Sequence, residues 1–541
     1  MITVSLNEAN FEYDIHSLVK AFYPAEDVKV FADTQRVAEL EQECKPLFRL
    51  EVYYRREAGG CAAGKESRLR EEAAVAGKES RLREEVAVAG RGSRLREEIA
   101  VDEIHILLRE EIAGDCQEQE RQSLFRAETR ADFSDRGDTK NRLKRCLYRL
   151  LSDYSGQTLP WGTLTGIRPT KIPMSMLRDG RKETDIRTYM SETYLASEQK
   201  INLSMEIARR EMELLDKIDY EDGYSLYVGI PFCPSICSYC SFSSSPIGLW
   251  EDRADDYLMA LEKEIDYVSH AFRHSKLNTV YIGGGTPTTL SPGQLQRLLD
   301  KIKGCFDFSY LLEYTVEAGR PDSITRDKLD VLREHNISRI SINPQTMKQE
   351  TLDIIGRRHT VEQTVESFRL ARELGFDNIN MDLIVGLPKE TVDDVRHTME
   401  RIQELSPDSL TVHSLALKRA ARLKMFPEDY AGMKMENTWE IIELTADYSK
   451  KMGLEPYYLY RQKNMAGNFE NVGYAGPGKA GLYNILIMEE VQSIIAVGAG
   501  SISKRVYPDG HIERCENVKD VASFIERIDE MIERKRKLLE D

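Results

Sequence analysis

Tyr227-Val-Gly-Ile-Pro-Phe-Cys-Pro-Ser-Ile-Cys-Ser-Tyr-Cys-Ser-Phe242 sets Cys233, Cys237 and Cys240 in a CxxxCxxC pattern just after a short apolar run. Three thiolates on one tight loop suit a cubane iron–sulfur cluster. A [4Fe–4S] cluster ordinarily takes four cysteines, so three leave one iron open to a small molecule, as a catalytic zinc site keeps an open position. A structural zinc site or three chance thiols are the alternative readings. Zinc wants a fourth ligand close by, however, and none of the nine histidines lies between residues 106 and 269. The three cysteines, with Tyr227 at the head of the stretch, are the catalytic candidates.

Outward from this stretch, apolar β-branched runs alternate with amphipathic helical patterns from residue 224 onward. Leu226 to Ile230, Thr279 to Ile282, Glu313 to Glu317, Arg339 to Asn343, Ile379 to Ile384 and Leu410 to Ser414 read as strands. Six strands joined by helices predict an α/β fold with a parallel sheet, curled as an open (β/α)6 barrel whose site lies at the carboxyl ends of the strands. Unusual residues gather there. Gly283-Gly-Gly-Thr-Pro287 follows the second strand, where missing side chains let a ligand approach the backbone. Glu317 ends the third and suits an ammonium group. Gln345 follows the fourth and can bond a ribose hydroxyl, while Arg357 offers a planar fork for a carboxylate, and Asp382 caps the fifth. Singly, each reads more simply as a turn, cap or surface charge.

CxxxCxxC with an aromatic residue before its third cysteine, Tyr239, resembles the radical S-adenosylmethionine (SAM) enzymes. The resemblance implies that the open iron binds the amino and carboxylate groups of SAM, that an electron from the cluster cleaves SAM to methionine and a 5′-deoxyadenosyl radical, and that Tyr239 lies near the adenine. Gly284, Gly285, Thr286 and Pro287 match the family's GGTP motif, which contacts the methionyl amino group. Glu317, Gln345, Arg357 and Asp382, with Gly386 and Ala416 at positions that meet adenine through the backbone, match the SAM contacts of the oxygen-independent coproporphyrinogen III oxidase family. The likeness spans about residues 222 to 510. Tyr457 to Tyr474 and Val497-Gly-Ala-Gly-Ser501 resemble that family's coproporphyrinogen dehydrogenase branch.

Oxidative decarboxylation of two propionates of coproporphyrinogen III to vinyl groups, giving protoporphyrinogen IX, is the activity so implied, with a low-potential donor such as flavodoxin or ferredoxin as partner. A polyanionic porphyrinogen needs cations. Lys418, Arg419, Arg422 and Lys424 past the sixth strand, and Arg461 and Lys463 beyond, are the candidates, though a solvated surface explains any one of them. A haem chaperone is the alternative. Where characterised oxidases carry His in Tyr-Val-His-Ile-Pro this chain has Gly229, and where they carry a further cysteine it has Phe242, which looks more like the chaperone branch.

The full chain has 541 residues, which exceeds one compact core. Five segments are expected: a small α+β unit at 1–56, a repeat-bearing low-complexity insertion at 57–130, a helical connection at 131–221, the barrel at 222–425 and a substrate-covering region at 426–541. A formal charge of −16 argues against a nucleic-acid surface. The six other cysteines lack disulfide-framework spacing, and no run suits a leader or a membrane span, so a cytoplasmic, reduced protein is expected. Gly64-Lys-Glu-Ser-Arg-Leu-Arg-Glu-Glu recurs from Gly77 and, with two changes, from Gly90. Each copy carries too little apolar surface for a core, so a partly helical or disordered expansion is expected, with a protein-binding arm as the alternative. Leu159 to Lys171 is a Gly/Pro-rich turn that either braces a domain interface or holds an anion through Arg168 and Lys171.

Overall fold

The computed structural model describes residues 1–56, 102–111, 122–166, 168–462 and 465–540. The thirteen-residue repeats and Lys463 lie outside them. The described residues of 1–166 and 179–202 make one compact unit, and those of 167–178 and 203–541 another.

In the first unit, strands β1 (Ile2–Leu6), β2 (Val28–Phe31), β3 (Arg49–Arg55), β4 (Glu103–Glu111) and β5 (Gln122–Arg130) form a sheet of order β2-β1-β3-β4-β5. β1 runs parallel to β2 and β3, and the rest of the sheet is antiparallel. Alternation along the strands buries Leu50 and Val52 of β3 and Ile104, Ile106 and Leu108 of β4. Helices Glu12–Phe22 and Arg136–Ser155 cover them, presenting Ile15 and Leu18, and Leu143, Leu147 and Leu151, at helical spacing. The boundary expected at residue 56 is therefore corrected. β4 and β5 lie within 57–130, yet they complete the N-terminal sheet.

In the second unit, β6 (Gly223–Ile230), β7 (Lys276–Gly284), β8 (Glu313–Gly319), β9 (Arg339–Ile342), β10 (Ile379–Val385) and β11 (Ser409–Ser414) are the six expected strands, parallel and in chain order. Helices join them, and three of these, starting at Pro292, Val361 and Val392, open with reciprocal capping boxes at Ser291/Gln294, Thr360/Gln363 and Thr391/Asp394. Register sets Val228, Ile230, Val280, Ile282, Val316, Ile340 and Ile342 on one face of the sheet, all fully buried, while Ser225, Thr279, Thr315 and Ser341 are buried on the other.

The sheet does not stop at six. β12 (Glu455–Tyr460), β13 (Asn471–Ala475), β14 (Ser493–Val497), β15 (Ile502–Val506) and β16 (Ile512–Glu516) bring its order to β12-β13-β11-β10-β9-β8-β7-β6-β14-β15-β16. β14 pairs parallel with β6, setting Ala496 beside Tyr227, while β13 pairs antiparallel with β11. Residues 426–541, expected to cover the substrate, thus extend both edges of the barrel sheet. Their last helix, Ile528–Glu540, is fastened by a fully buried ion pair, Lys535 Nζ to Glu264 Oε1 at 2.6 Å. Asn517 accepts from Lys535 (2.8 Å) and donates to Glu264 (2.8 Å), whose other oxygen accepts from the Gly498 amide (2.7 Å).

In the 159–171 turn Trp161 is buried, and Arg168 bonds the Glu490 carboxylate (2.9 Å) and the Met488 carbonyl. These bonds lie within the second unit and commit the Arg168 guanidinium to protein partners. Among the described residues no helix is long and apolar enough to cross a membrane.

Candidate site at the strand ends

β6 ends at Ile230, and the chain passes through Pro231 and Phe232 into Cys233. The Gly285 amide donates to the Ile230 carbonyl and that of Thr286 to the Phe232 carbonyl, both at 2.7 Å. A Cβ on Gly285 would stand 2.5 Å from the Phe232 oxygen, and Gly284 has φ of 104°, so this glycine pair is required to stitch the cysteine loop to β7. On its other side the loop is tied by the Ser238 amide to the Ile355 carbonyl (2.9 Å), by Ser235 Oγ to the Gly356 carbonyl (3.1 Å) and by the Leu423 amide to the Ser238 carbonyl (3.0 Å).

Between these ties lies a cavity of about 250 Å³ lined by Cys233, Cys237, Cys240, Tyr239, Gly284, Gly285, Thr286, Glu317, Gln345, Arg357, Asp382, Ala416 and Lys418. Residues far apart in the chain, each singled out above, therefore share one space. Thr286 Oγ1 reaches Cys233 Sγ at 3.6 Å, and Arg320 Nη1 reaches Cys237 Sγ at 3.6 Å. Burial pushes the Cys233 thiol up and the Cys240 thiol to about 11. Among the described residues no three His, Cys, Asp or Glu side chains are grouped to hold a metal ion. A four-iron cluster binds each thiolate on a separate iron, so its ligands need not converge on one point. Three cysteines on one wall, two of them beside a hydroxyl or guanidinium donor, fit such a cluster.

Arg357 is buried and gives Nη1 to the Asn343 carbonyl at 2.5 Å. Burial works against its charge, but Tyr239 and Cys237 beside it hold its pKa above the ordinary arginine value. Its Nε and the nearby Asn343 Oδ1 are buried without partners. Glu317 takes a hydrogen bond from Tyr281 at 2.5 Å, and burial, the Tyr281 bond and the Asp382 charge together set its carboxyl at about 7. Gly283 makes room for that bond, since a Cβ there would stand 2.8 Å from the Tyr281 ring and 2.9 Å from the Glu317 carboxyl carbon. Gln345 sits at φ of 69°, its amide bonded to the Asp382 carbonyl (3.0 Å) and its carbonyl to the Ile384 amide (2.9 Å). A glutamine held in left-handed backbone marks a place where the surroundings impose geometry. Asp382 accepts from Asn380 (2.7 Å) and lies 3.9 Å from His413.

Other expected residues lie elsewhere. Tyr227 is not a cavity wall. It packs behind Gly284 in a stack with Tyr281 and Tyr483, whose ring centroids are 4.4 Å apart. Gly386 turns the chain after β10 at φ of 86° and does not line the cavity. Arg461, counted among the substrate cations, is 3% exposed, and its Nη2 bonds the Asn468 carbonyl (2.9 Å) and Oδ1 (2.7 Å), so it serves the fold. Arg419 and Arg422 are exposed outside the lining, Arg422 lying over the Phe426 ring. Among the described members of that group only Lys418 lines the cavity. Gly229 faces the β14 backbone, where a Cβ would come 3.3 Å from the Val497 oxygen. Arg320, Asn343, His413, Tyr460 and Gln462 also line the cavity and were not singled out. His413 and Asn343 sit at the ends of strands that were read correctly, so the position was visible even though the residues were passed over.

Residues 227–402 match the radical SAM superfamily. The chain is similar to the oxygen-independent coproporphyrinogen-III oxidase-like protein HemZ of Bacillus subtilis, 42% identical over 406 residues, which are 74% of this chain and 81% of that one. It is also similar to the heme chaperone HemW of Bacillus subtilis, 39% identical over 195 residues (36% and 51% of the two chains), and to the oxygen-independent coproporphyrinogen III oxidase of Salmonella typhimurium, 30% identical over 324 residues (57% and 66%). The fold, the three-cysteine loop at its sheet end and these likenesses agree: the chain belongs to the radical SAM superfamily, whose cofactors are a [4Fe–4S] cluster and SAM, and within it to the oxygen-independent coproporphyrinogen-III oxidase-like family.

Proposed function

We propose that the protein oxidatively decarboxylates coproporphyrinogen III propionates to vinyl groups, giving protoporphyrinogen IX. The observation that carries this is the convergence of Cys233, Cys237 and Cys240 with Glu317, Gln345, Arg357 and Asp382 on one cavity that Lys418 borders. When bound, the cluster and SAM supply a carbon-centred radical able to take a hydrogen atom from a propionate side chain. Each propionate then loses CO2 and one further electron. Cys233, Cys237 and Cys240 hold the cluster. Glu317, with the glycine backbone at 284–285, receives the amino group of SAM, and Arg357 its carboxylate. Gln345 and Asp382 take the ribose, and Tyr239 and the Ala416 backbone border the adenine. Lys418 at the rim, with Arg419, Arg422 and Lys424 on the exposed segment beyond it, meets the substrate carboxylates. A low-potential one-electron donor of the flavodoxin or ferredoxin class supplies the reducing electron, and an oxygen-sensitive cluster suits a cytoplasmic site.

A haem chaperone is the second reading, favoured by one feature. Phe242 stands at the cavity rim 71% exposed, an apolar face on which a flat macrocycle can rest. Anaerobic assay of reconstituted, reduced protein with SAM and coproporphyrinogen III separates the two. The oxidase releases CO2 and forms 5′-deoxyadenosine in step with vinyl groups. Stoichiometric haem binding with no CO2 release, given a competent reductant, selects the chaperone.

A further inference from the structure

Gly319-Arg-Pro-Asp-Ser323, leaving the end of β8, sends a guanidinium to the cysteine loop. Arg320 is 3% exposed. Its Nε and Nη2 form a two-pronged pair with Asp322 at 2.9 and 2.6 Å, which fixes the plane of the fork. Its remaining nitrogen, Nη1, reaches Ser235 Oγ (3.0 Å), the Ser235 carbonyl (3.4 Å) and Cys237 Sγ (3.6 Å). A second cation, Arg357, also neighbours Cys237, and it is assigned above to the SAM carboxylate. His359 adds no charge to the group. It is fully buried with both ring nitrogens unpartnered, and burial and the two arginines keep it neutral down to about 3.

We infer that Arg320, braced by Asp322, is a positioning residue that sets the reduction potential of the cluster through its N–H···S bond to Cys237. The inference rests on the reading of Cys237 as a cluster ligand. Reduction adds one negative charge to a cluster, and its potential follows net charge, hydrogen bonds to the sulfurs and solvent exposure. A donor aimed at a ligand sulfur stabilises the reduced form more than the oxidised one and so raises the potential. Because Asp322 neutralises most of the arginine charge, the pair acts chiefly as a rigid dipole. Removing either member therefore changes the field at the sulfur in opposite senses.

The test is a potentiometric titration of the reconstituted full-length protein without SAM, followed by electron paramagnetic resonance, with iron and sulfide measured first. Arg320→Gln should lower the midpoint potential, and Asp322→Asn, which frees the arginine charge, should raise it, both at wild-type cluster content. A purely architectural role would shift both variants the same way or leave both unmoved, and either result overturns the inference. Should Arg320→Gln fail to hold a cluster, Asp322→Asn decides alone, and an unchanged or lowered midpoint rejects the proposal. Failure of the underlying reading looks different: Cys237→Ala would keep its full complement of iron.

Discussion

Two of the polar clusters buried among the described residues are finished to different degrees. Around Glu264, Lys535 and Asn517 the oxygens, the ammonium and the Gly498 amide all find partners within 2.9 Å. At the ends of the barrel strands, by contrast, Arg357 Nε, Asn343 Oδ1 and both nitrogens of His359 are buried without partners, and Gln345 is held in left-handed backbone. An unpartnered buried polar group costs about 1–3 kcal/mol, which a ligand bound at the second cluster would offset. The first cluster is a fastening, and the second is where the proposed function puts SAM.

Four experiments test that contrast. The largest effect is expected at the cysteines: Cys233→Ala, Cys237→Ala or Cys240→Ala should abolish the [4Fe–4S] cluster in iron and sulfide analysis, whereas Cys305→Ala and Cys515→Ala should retain it. Next comes the fastening. Lys535→Met leaves Glu264 buried without its cation and should destabilise the protein by about 3–5 kcal/mol, seen in thermal or denaturant unfolding, with SAM affinity untouched in the folded protein. A loss of SAM affinity equal to that of a site variant would erase the distinction.

Arg357→Ala should do the reverse, weakening SAM binding by about 1.5–3 kcal/mol, tenfold or more, while cluster content and unfolding stay close to wild type. Anaerobic calorimetry reads it. The smallest effect concerns pH. Glu317 is raised by burial from an ordinary carboxyl value to about 7, so its ionised form gains population as pH climbs through neutrality. SAM affinity should strengthen across that window. The apoprotein moves the other way, because a carboxyl raised in the fold contributes stability below its unfolded pKa that is lost as pH rises through about 7. Tyr281→Phe removes the hydrogen bond that holds Glu317 down and should move the binding midpoint upward, and Glu317→Gln should flatten the profile.

All six central strands were legible because short runs rich in β-branched residues, such as Thr279 to Ile282 with Val280 and Ile282 buried on one face, stand between amphipathic helical patterns. The cavity residues were legible because the cysteine pattern fixes one strand end and parallel pairing brings the other strand ends beside it. β4 was missed although Ile104, Ile106 and Leu108 alternate properly, since biased sequence on either side hid a nine-residue strand. β14 was read only for the glycines that follow it. Arg320 was invisible because its sequence spells a turn, and only the fold brings it to Cys237. Arg461 misled in the opposite sense: a cation near a motif carries no sign of being buried, and its Asn468 partners are set by a local bend at Gly467, φ of 68°.

β14 also bears on the order in which the molecule assembles. β6, which delivers the cysteine loop, has β7 on one side and β14, near the far end of the chain, on the other. While the protein is being synthesised, the strand leading to Cys233 presents an unpaired edge until residues 493–497 emerge, and such edges recruit other strands. A long-range parallel pairing is also slow to close. The loop's own ties, to Gly285, Thr286, Ile355, Gly356 and Leu423, all precede residue 493, so what waits for β14 is the edge of β6, and truncations before residue 493 should aggregate instead of yielding a smaller barrel.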